Sequence, residues 1–180
     1  MALKATIYKA DLSIADMDRN YYQEHSLTIA RHPSETDERV MIRVLAFALH
    51  ADPALAFTKD LFDVEEPALW LKDLTGAIQT WIEVGQPDEK RLLKAAGRAE
   101  KVIVYSYSAT SSIWFKGIAN KIDRARNVSV VNIPHETSAQ LEQMAQRSMQ
   151  LQCTIQDGQV WLTDGATTVQ VEREALRRTP

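Results

Sequence analysis

Cysteine is nearly absent: Cys153 stands alone in 180 residues, which excludes an intramolecular disulfide and any zinc centre built from several cysteines. Its position in an alternating strand pattern marks it as buried core filler, not a reactive thiol. No apolar run approaches the roughly 20 residues needed to cross a bilayer. The opening Met1-Ala2-Leu3-Lys4-Ala5-Thr6 also lacks the apolar block and cleavage site of a signal peptide. These absences lead us to expect a cytoplasmic protein with no membrane partner. There is no internal repeat and no low-complexity tract. With 45% hydrophobic and 25% charged residues, the chain has the composition of a soluble globular protein, and its length suits one domain over residues 1–180 with one substantial core.

The formal net charge of −3 conceals an uneven distribution. Met1 to Glu89 holds 8 basic and 16 acidic residues, Lys90 to Arg126 holds 9 basic and 2 acidic, and the remainder holds 4 basic and 6 acidic. A cationic segment directly after an acidic one suits a metal site bordered by phosphate-binding groups. The same charges also suit solvated helix faces.

Alternation through Ala5, Ile7, Leu12 and Ile14, and again through Leu27 and Ile29, predicts an opening β-hairpin with a polar connection around Asp16 to Asn20. Ser34 then stands as a helix cap, with Asp37 completing a capping box, for a helix running to about His50. Asp52 to Pro67 is rich in acids and proline, with a short strand at Ala54 to Thr58. Ala68–Asp73 and Ala77–Val84 read as two strands joined at Leu74-Thr75-Gly76. Pro87 suits the first turn of a helix, and Asp88 with Glu89 favours its N-terminus. The run Val102–Tyr105, a helix around Ile113 to Arg124 and the run Val128–Ile133 form a crossover with parallel pairing. A helix around Ser138 to Ser148 follows. Met149, Leu151, Cys153 and Ile155 then alternate, as do Val160 with Leu162 and Val169 with Val171, so the tail reads as antiparallel strands.

Four groups fall where chemistry can be built: Glu38 on the first helix, Asp73 ending a strand, Glu83 near the end of the next, and Lys90 in the helix after it. Magnesium or manganese takes oxygen ligands, often one or two carboxylates completed by phosphate and water. Asp73 and Glu83 are the candidate metal ligands. A metal there acidifies a bound water and stabilises charge on a phosphate oxygen, Lys90 offsets developing charge, and Glu38 gives water-mediated support.

The order helix, strands, acid, acid, basic helix, buried strand resembles the core of the PD-(D/E)XK nuclease superfamily. The resemblance implies that Asp73 and Glu83 bind the metal and that a lysine lies two residues after the second acid. Position 85 is glycine, so the lysine would come from the helix, as Lys90 or Lys94, with Gln86 as a polar ligand to water. More closely, the chain resembles the YaeQ family over essentially its full length. The residues that carry the likeness are Met1 to Tyr8, Arg31-His32-Pro33-Ser34-Glu35-Thr36, the run Trp81 to Arg91, and Gln156-Asp157-Gly158-Gln159-Val160-Trp161-Leu162. That resemblance implies an α/β fold with mixed sheets around a variant PD-(D/E)XK (restriction-endonuclease-like) core, extended by antiparallel N- and C-terminal strands, and a nucleic-acid role.

Each residue also has a structural reading. Glu83 can pair with Lys90 or Arg91, Asp73 can be a turn residue, and Glu38 is favoured by the helix dipole. Arg31 and His32 are candidate phosphate contacts beside the helix cap, whereas His25, His50 and His135 show no zinc spacing. Trp114 and Phe115 suit core packing better than base stacking. The leading expectation is a metal-dependent nuclease-like protein acting on DNA or RNA. The second is a non-catalytic nucleic-acid-binding or transcription-associated regulatory protein, with salt-sensitive binding through Lys94, Arg98, Lys116, Lys121 and Arg124. A third is a protein-interaction module whose acids are structural.

Overall fold

Alternating side chains at the start of the chain build a long hairpin, β1 (Thr6–Asp16) with β2 (Tyr21–Arg31), followed by α1 (Asp37–Leu49) and the short β3 (Leu55–Phe57). Next come β4 (Leu69–Lys72), β5 (Ile78–Val84), α2 (Glu89–Arg98), β6 (Ala99–Ser106), α3 (Ser111–Ile118), β7 (Val128–Asn132) and α4 (His135–Glu142). The chain closes with β8 (Ser148–Gln156), β9 (Gln159–Thr163), β10 (Thr168–Val171) and β11 (Glu174–Arg177). This computed structural model describes residues 4–58 and 65–180, so part of the acid- and proline-rich stretch read from the sequence lies outside the described residues. Two compact units form, one from Met1–Ala48 with Glu136–Glu172 and the other from Leu49–His135 with Arg173–Pro180.

The first unit holds a five-stranded sheet in the order β10-β9-β8-β1-β2. The expected antiparallel pairing holds between β1 and β2, β8 and β9, and β9 and β10. β1 and β8, for which the sequence specified no pairing, run parallel, with Ala10 opposite Met149, Leu12 opposite Leu151 and Ile14 opposite Cys153. The match is apolar to apolar on one pleat face, and all six of these residues are buried, because the side-chain period of two fixes the register wherever one face is buried. Cys153 is thus the core residue its pattern suggested.

α1 begins later than Ser34. Ser34 instead meets His32, whose Nδ1 lies 2.8 Å from its Oγ, and the cap is Thr36, whose Oγ1 accepts from the Arg39 N–H at 3.1 Å. Thr36→Ala is expected to cost about 1 kcal/mol in a denaturant-unfolding measurement, whereas Ser34→Ala should leave the midpoint unchanged. Every residue from Val40 to Leu49 is buried, including Arg43. Its guanidinium donates from Nε at 2.9 Å and Nη2 at 2.7 Å to the Glu35 carboxylate, and from Nη2 to the Ala30 carbonyl at 3.1 Å. Arg39 adds a third bond to Glu35 at 2.6 Å. Arg43 stands inside an otherwise apolar buried run of α1 and its acid partner lies outside the helix, so the sequence pattern gives no sign of this charge network.

The second unit holds a six-stranded sheet in the order β11-β7-β6-β5-β4-β3. β5, β6 and β7 are parallel, with α2 and α3 as the crossovers, so the predicted parallel crossover is present and is doubled. Trp81, Val102, Val104, Val128 and Val130 lie on one sheet face and form a core with Leu92 and Ala95 of α2 and with Ile118 and Ile122. Pro87 is not in the first turn of α2. Asp88 caps that helix, accepting from the Arg91 N–H at 2.8 Å. α3 ends at Ile118, short of Arg124, and α4 begins at His135, ahead of Ser138. The sequence reading missed β11, because Glu174-Ala175-Leu176-Arg177 does not alternate cleanly. Arg177 anchors it, donating to the carbonyls of Ala125 at 2.7 Å and Ile122 at 3.1 Å.

Candidate functional site

The strand period of two puts Trp81 and Glu83 on the same face of β5. Glu83 is 5% exposed, and burying a carboxylate so fully is costly without partners. Two are present on one oxygen: Trp81 Nε1 donates to Oε1 at 2.8 Å and Arg91 Nε donates to it at 2.7 Å. Of the two pairings the sequence allowed, the structure selects Arg91. Lys90 is exposed.

Arg91, Lys94 and Arg98 recur at helical spacing along one side of α2, and that side faces residues 65 and 66. Arg91 Nη2 donates to the Glu66 carbonyl at 2.6 Å, Lys94 Nζ pairs with Glu65 Oε1 at 2.5 Å, and Arg98 Nη1 donates to the Glu65 carbonyl at 2.7 Å. The Lys94 hydrogen bond, followed by the charges of Lys94, Arg98 and Arg91, holds the Glu65 carboxyl below its ordinary range. Arg98 also lies over the Trp81 ring, 5.1 Å from its centroid. Lys94 and Arg98, expected as nucleic-acid contacts, therefore have acidic or carbonyl partners within the chain.

Asp73 is elsewhere. It closes the β4–β5 turn, its Oδ1 accepting from the Thr75 N–H at 2.8 Å, the Thr75 hydroxyl at 2.6 Å and the Ala77 N–H at 3.0 Å. The Thr75 hydroxyl is the largest cause of a carboxyl held below its ordinary range, with the backbone donors adding to it. Asp73 is thus bound at the start of β5, while Glu83 is next to last in the strand. Six residues at about 3.3 Å each separate Ala77 from Glu83, about 20 Å along the strand. One ion with bonds of about 2.0–2.6 Å cannot reach both carboxylates, so the expected Asp73 and Glu83 pair does not fit a shared magnesium or manganese ion. Among the described residues no group of three or more His, Cys, Asp or Glu side chains is placed to hold a metal ion.

The other candidates separate in the same way. Glu38 belongs to the first unit, where its Oε2 accepts from the Ser138 hydroxyl at 3.1 Å. Arg31 pairs there with Asp37 at 3.3 Å, and the Tyr8 hydroxyl donates to the same Asp37 oxygen at 2.8 Å. In the second unit, Gln86 Nε2 donates to the Thr110 hydroxyl at 3.0 Å. Gly85 adopts φ +116° and donates its N–H to the Tyr105 carbonyl at 2.9 Å. That backbone conformation is natural for glycine and strained for other residues. Trp114 and Phe115 pack against the core cluster, as their structural reading expected. His50 Nε2 lies 2.5 Å from the Tyr105 hydroxyl, whose pKa burial pushes well up.

Lys90, Lys116 and Arg124 are exposed and have no ion-pair partner among the described residues. Lys121 reaches Glu89 at 3.8 Å, linking the turn after α3 to the first turn of α2. Among the described residues no helix is long and apolar enough to cross a membrane.

Two mixed sheets and four helices among the described residues define a mixed α/β protein. The sequence pattern of the YaeQ protein family matches residues 1–173, and the chain belongs to that family. Relatives described as "Uncharacterized protein YaeQ" from Escherichia coli (strain K12) and Salmonella typhi are 45% and 44% identical over 179 residues, 99% of each chain. The crystal structure of YaeQ protein from Xanthomonas axonopodis pv. citri superposes with a TM-score of 0.92 at 42% identity, covering 98% of this chain and 99% of that one. The YaeQ protein from Pseudomonas syringae also gives 0.92, at 36% identity and 97% coverage of each.

Proposed function

We propose that the second unit is a variant PD-(D/E)XK-like arrangement that binds nucleic-acid phosphodiesters through the outer surface of its helix layer, without a metal ion shared by Asp73 and Glu83. The observation that carries this reading is the division of the cations on α2, α3 and the turn that follows α3. Arg91, Lys94 and Arg98 are committed to Glu83 and to residues 65–66, whereas Lys90, Lys116 and Arg124 face solvent unpaired among the described residues. Free surface cations displace counterions from a phosphate backbone, and the resulting affinity falls steeply with salt. The cytoplasmic location expected from the sequence is part of the same proposal.

Oligonucleotide binding measured across a salt series tests it. Replacing Lys90, Lys116 and Arg124 together with alanine is expected to flatten the slope of log K against log salt by about 2–3. Asp73→Asn and a change from magnesium to chelator should leave that slope unaltered. Binding that needs magnesium, or magnesium-dependent cleavage lost in Glu83→Ala, would restore a metal-dependent nuclease at Glu83. No binding at low salt would leave the protein-interaction reading.

A further inference from the structure

The two faces of the five-stranded sheet differ in kind. One carries the buried apolar alternation of β1 and β8, and the period of two puts the intervening polar residues on the other. Over that polar face lies an open cavity of about 540 Å³, lined from β1, β2, β8 and the turn after β9. Its size falls in the range of small-molecule sites, about 300–1,000 Å³.

Strand register arranges the floor of this cavity in rows. In one row Asp11 stands between Ser26 and Gln150 and is closed on itself, the Ser26 hydroxyl donating to Oδ1 at 3.1 Å and Gln150 Nε2 donating to Oδ2 at 2.8 Å. In the next row Glu24, Ser13 and Gln152 stand side by side on β2, β1 and β8. None of these three side chains has a hydrogen-bond or ion-pair partner among the described residues. With neighbouring strands about 4.8 Å apart, the free row spans about 10 Å. Two residues further along each strand come Tyr22, Ala15, Thr154 and Trp161, an aromatic ring at each end and two small side chains between.

The lining narrows the chemistry of a ligand. Its carboxylates are Asp11, Glu24 and Asp164, with no lysine or arginine among the described residues that line it, so an anion is repelled. Lys9 shares the face, two residues before Asp11, but lies outside the lining. The His25 ring is engaged elsewhere, with Nε2 2.7 Å from the Tyr21 hydroxyl and the ring edge-on to Phe47. Asp11 is met by its two neutral donors, and Asp164 Oδ1 accepts from the Ala166 N–H at 2.9 Å and the Thr167 N–H at 2.7 Å. Glu24 is then the one open carboxylate of the lining, and a single exposed pair holds a cation by only about 0–1 kcal/mol. An apolar ligand would strip water from the free row and return no hydrogen bond. A ligand rich in hydroxyl groups meets all of these conditions, since each hydroxyl both donates and accepts.

We infer that this face of the first unit binds a neutral polyhydroxylated ligand of the carbohydrate class, with Glu24, Ser13 and Gln152 meeting its hydroxyls and Tyr22 and Trp161 flanking its rings. The free row has the length of a disaccharide. The nucleic-acid reading concerns the second unit, so each can fail without the other.

NMR of the full chain at constant ionic strength, titrated separately with maltose, cellobiose, chitobiose, spermidine and inorganic phosphate, tests the site. At least one disaccharide is expected to shift the Ser13, Glu24 and Gln152 amides and the Trp161 indole N–H saturably, while spermidine and phosphate do not. Gln152→Ala is expected to weaken that binding about two- to tenfold, and Glu24→Ala about tenfold or more, because hydrogen bonds to a charged group are the stronger. Both side chains are exposed, so the unfolding midpoint should not move in either variant. Saturable shifts with spermidine or phosphate but with no disaccharide overturn the assignment, as do no shifts at high millimolar disaccharide or undiminished binding in a folded Glu24→Ala, Gln152→Ala double variant.

Discussion

Glu35→Ala is expected to destabilise this protein by about 3–5 kcal/mol, because it leaves the Arg43 guanidinium buried without its counter-charge. The Glu35 side chain is fully buried and that of Arg43 is 7% exposed, so solvent cannot replace the lost partner. Desolvation already pushes the Arg43 pKa down, and the Glu35 charge opposes that push. Arg43→Met should cost less, since Arg39 continues to neutralise Glu35 at 2.6 Å. Joining it with Glu35→Leu should recover part of the Glu35→Ala loss, because the apolar pair buries no unpaired charge. Chemical denaturation of the four proteins measures the set. A Glu35→Ala variant as stable as the parent would show that the network is spectator structure.

Arg91→Ala carries the second large effect, a loss of about 2–4 kcal/mol. It removes the cation from Glu83, whose side chain is buried, and the Arg91 side chain is itself 25% exposed, which sets the value below that for Glu35. Among the described residues Glu83 would keep only the Trp81 indole donor. Magnesium titration of the parent and of Glu83→Ala separates two roles for this acid. If Glu83 is the inner half of an ion pair, magnesium leaves the melting temperature of the parent unchanged. If it ligates a metal, magnesium raises that temperature by mass action, and Glu83→Ala abolishes the rise. Such a magnesium-dependent rise is the result that would falsify the ion-pair assignment.

Local periodicity revealed most of the elements and little of their assembly. The β1–β2 hairpin, α1, β4 and β5, and the β6–α3–β7 crossover could be read because each pattern is complete within a short window. The parallel ladder of β1 with β8 could not, since its partners are about as far apart as Asp11 and Gln150, a separation of 139 residues, and alternation says nothing about who pairs with whom. The site divided along the same line. Glu83 stood out as an acid in an apolar strand, and Arg91 was legible as one of two adjacent bases. Asp73 misled because a turn acid and a ligand acid look alike in sequence; only its three donors distinguish them. Glu35 and Arg43 were missed because an arginine inside an apolar helix stripe reads as a breach of the pattern, and its neutralising acid lies outside the helix.

The parallel ladder also sets an order of events during synthesis. Most of the second unit, Leu49–His135, leaves the ribosome before β8 exists, so β3 to β7 can assemble while the β1–β2 hairpin still shows an open edge on β1. Closing a loop of this length is an entropically late step, and until then that edge is a template for wrong partners. The last strand to emerge, β11, brings Arg177 to the carbonyls of Ile122 and Ala125. Nascent chains stalled before β8 should therefore contain a protease-resistant central region and a sensitive N-terminal hairpin, and chaperone demand should be greatest in that interval.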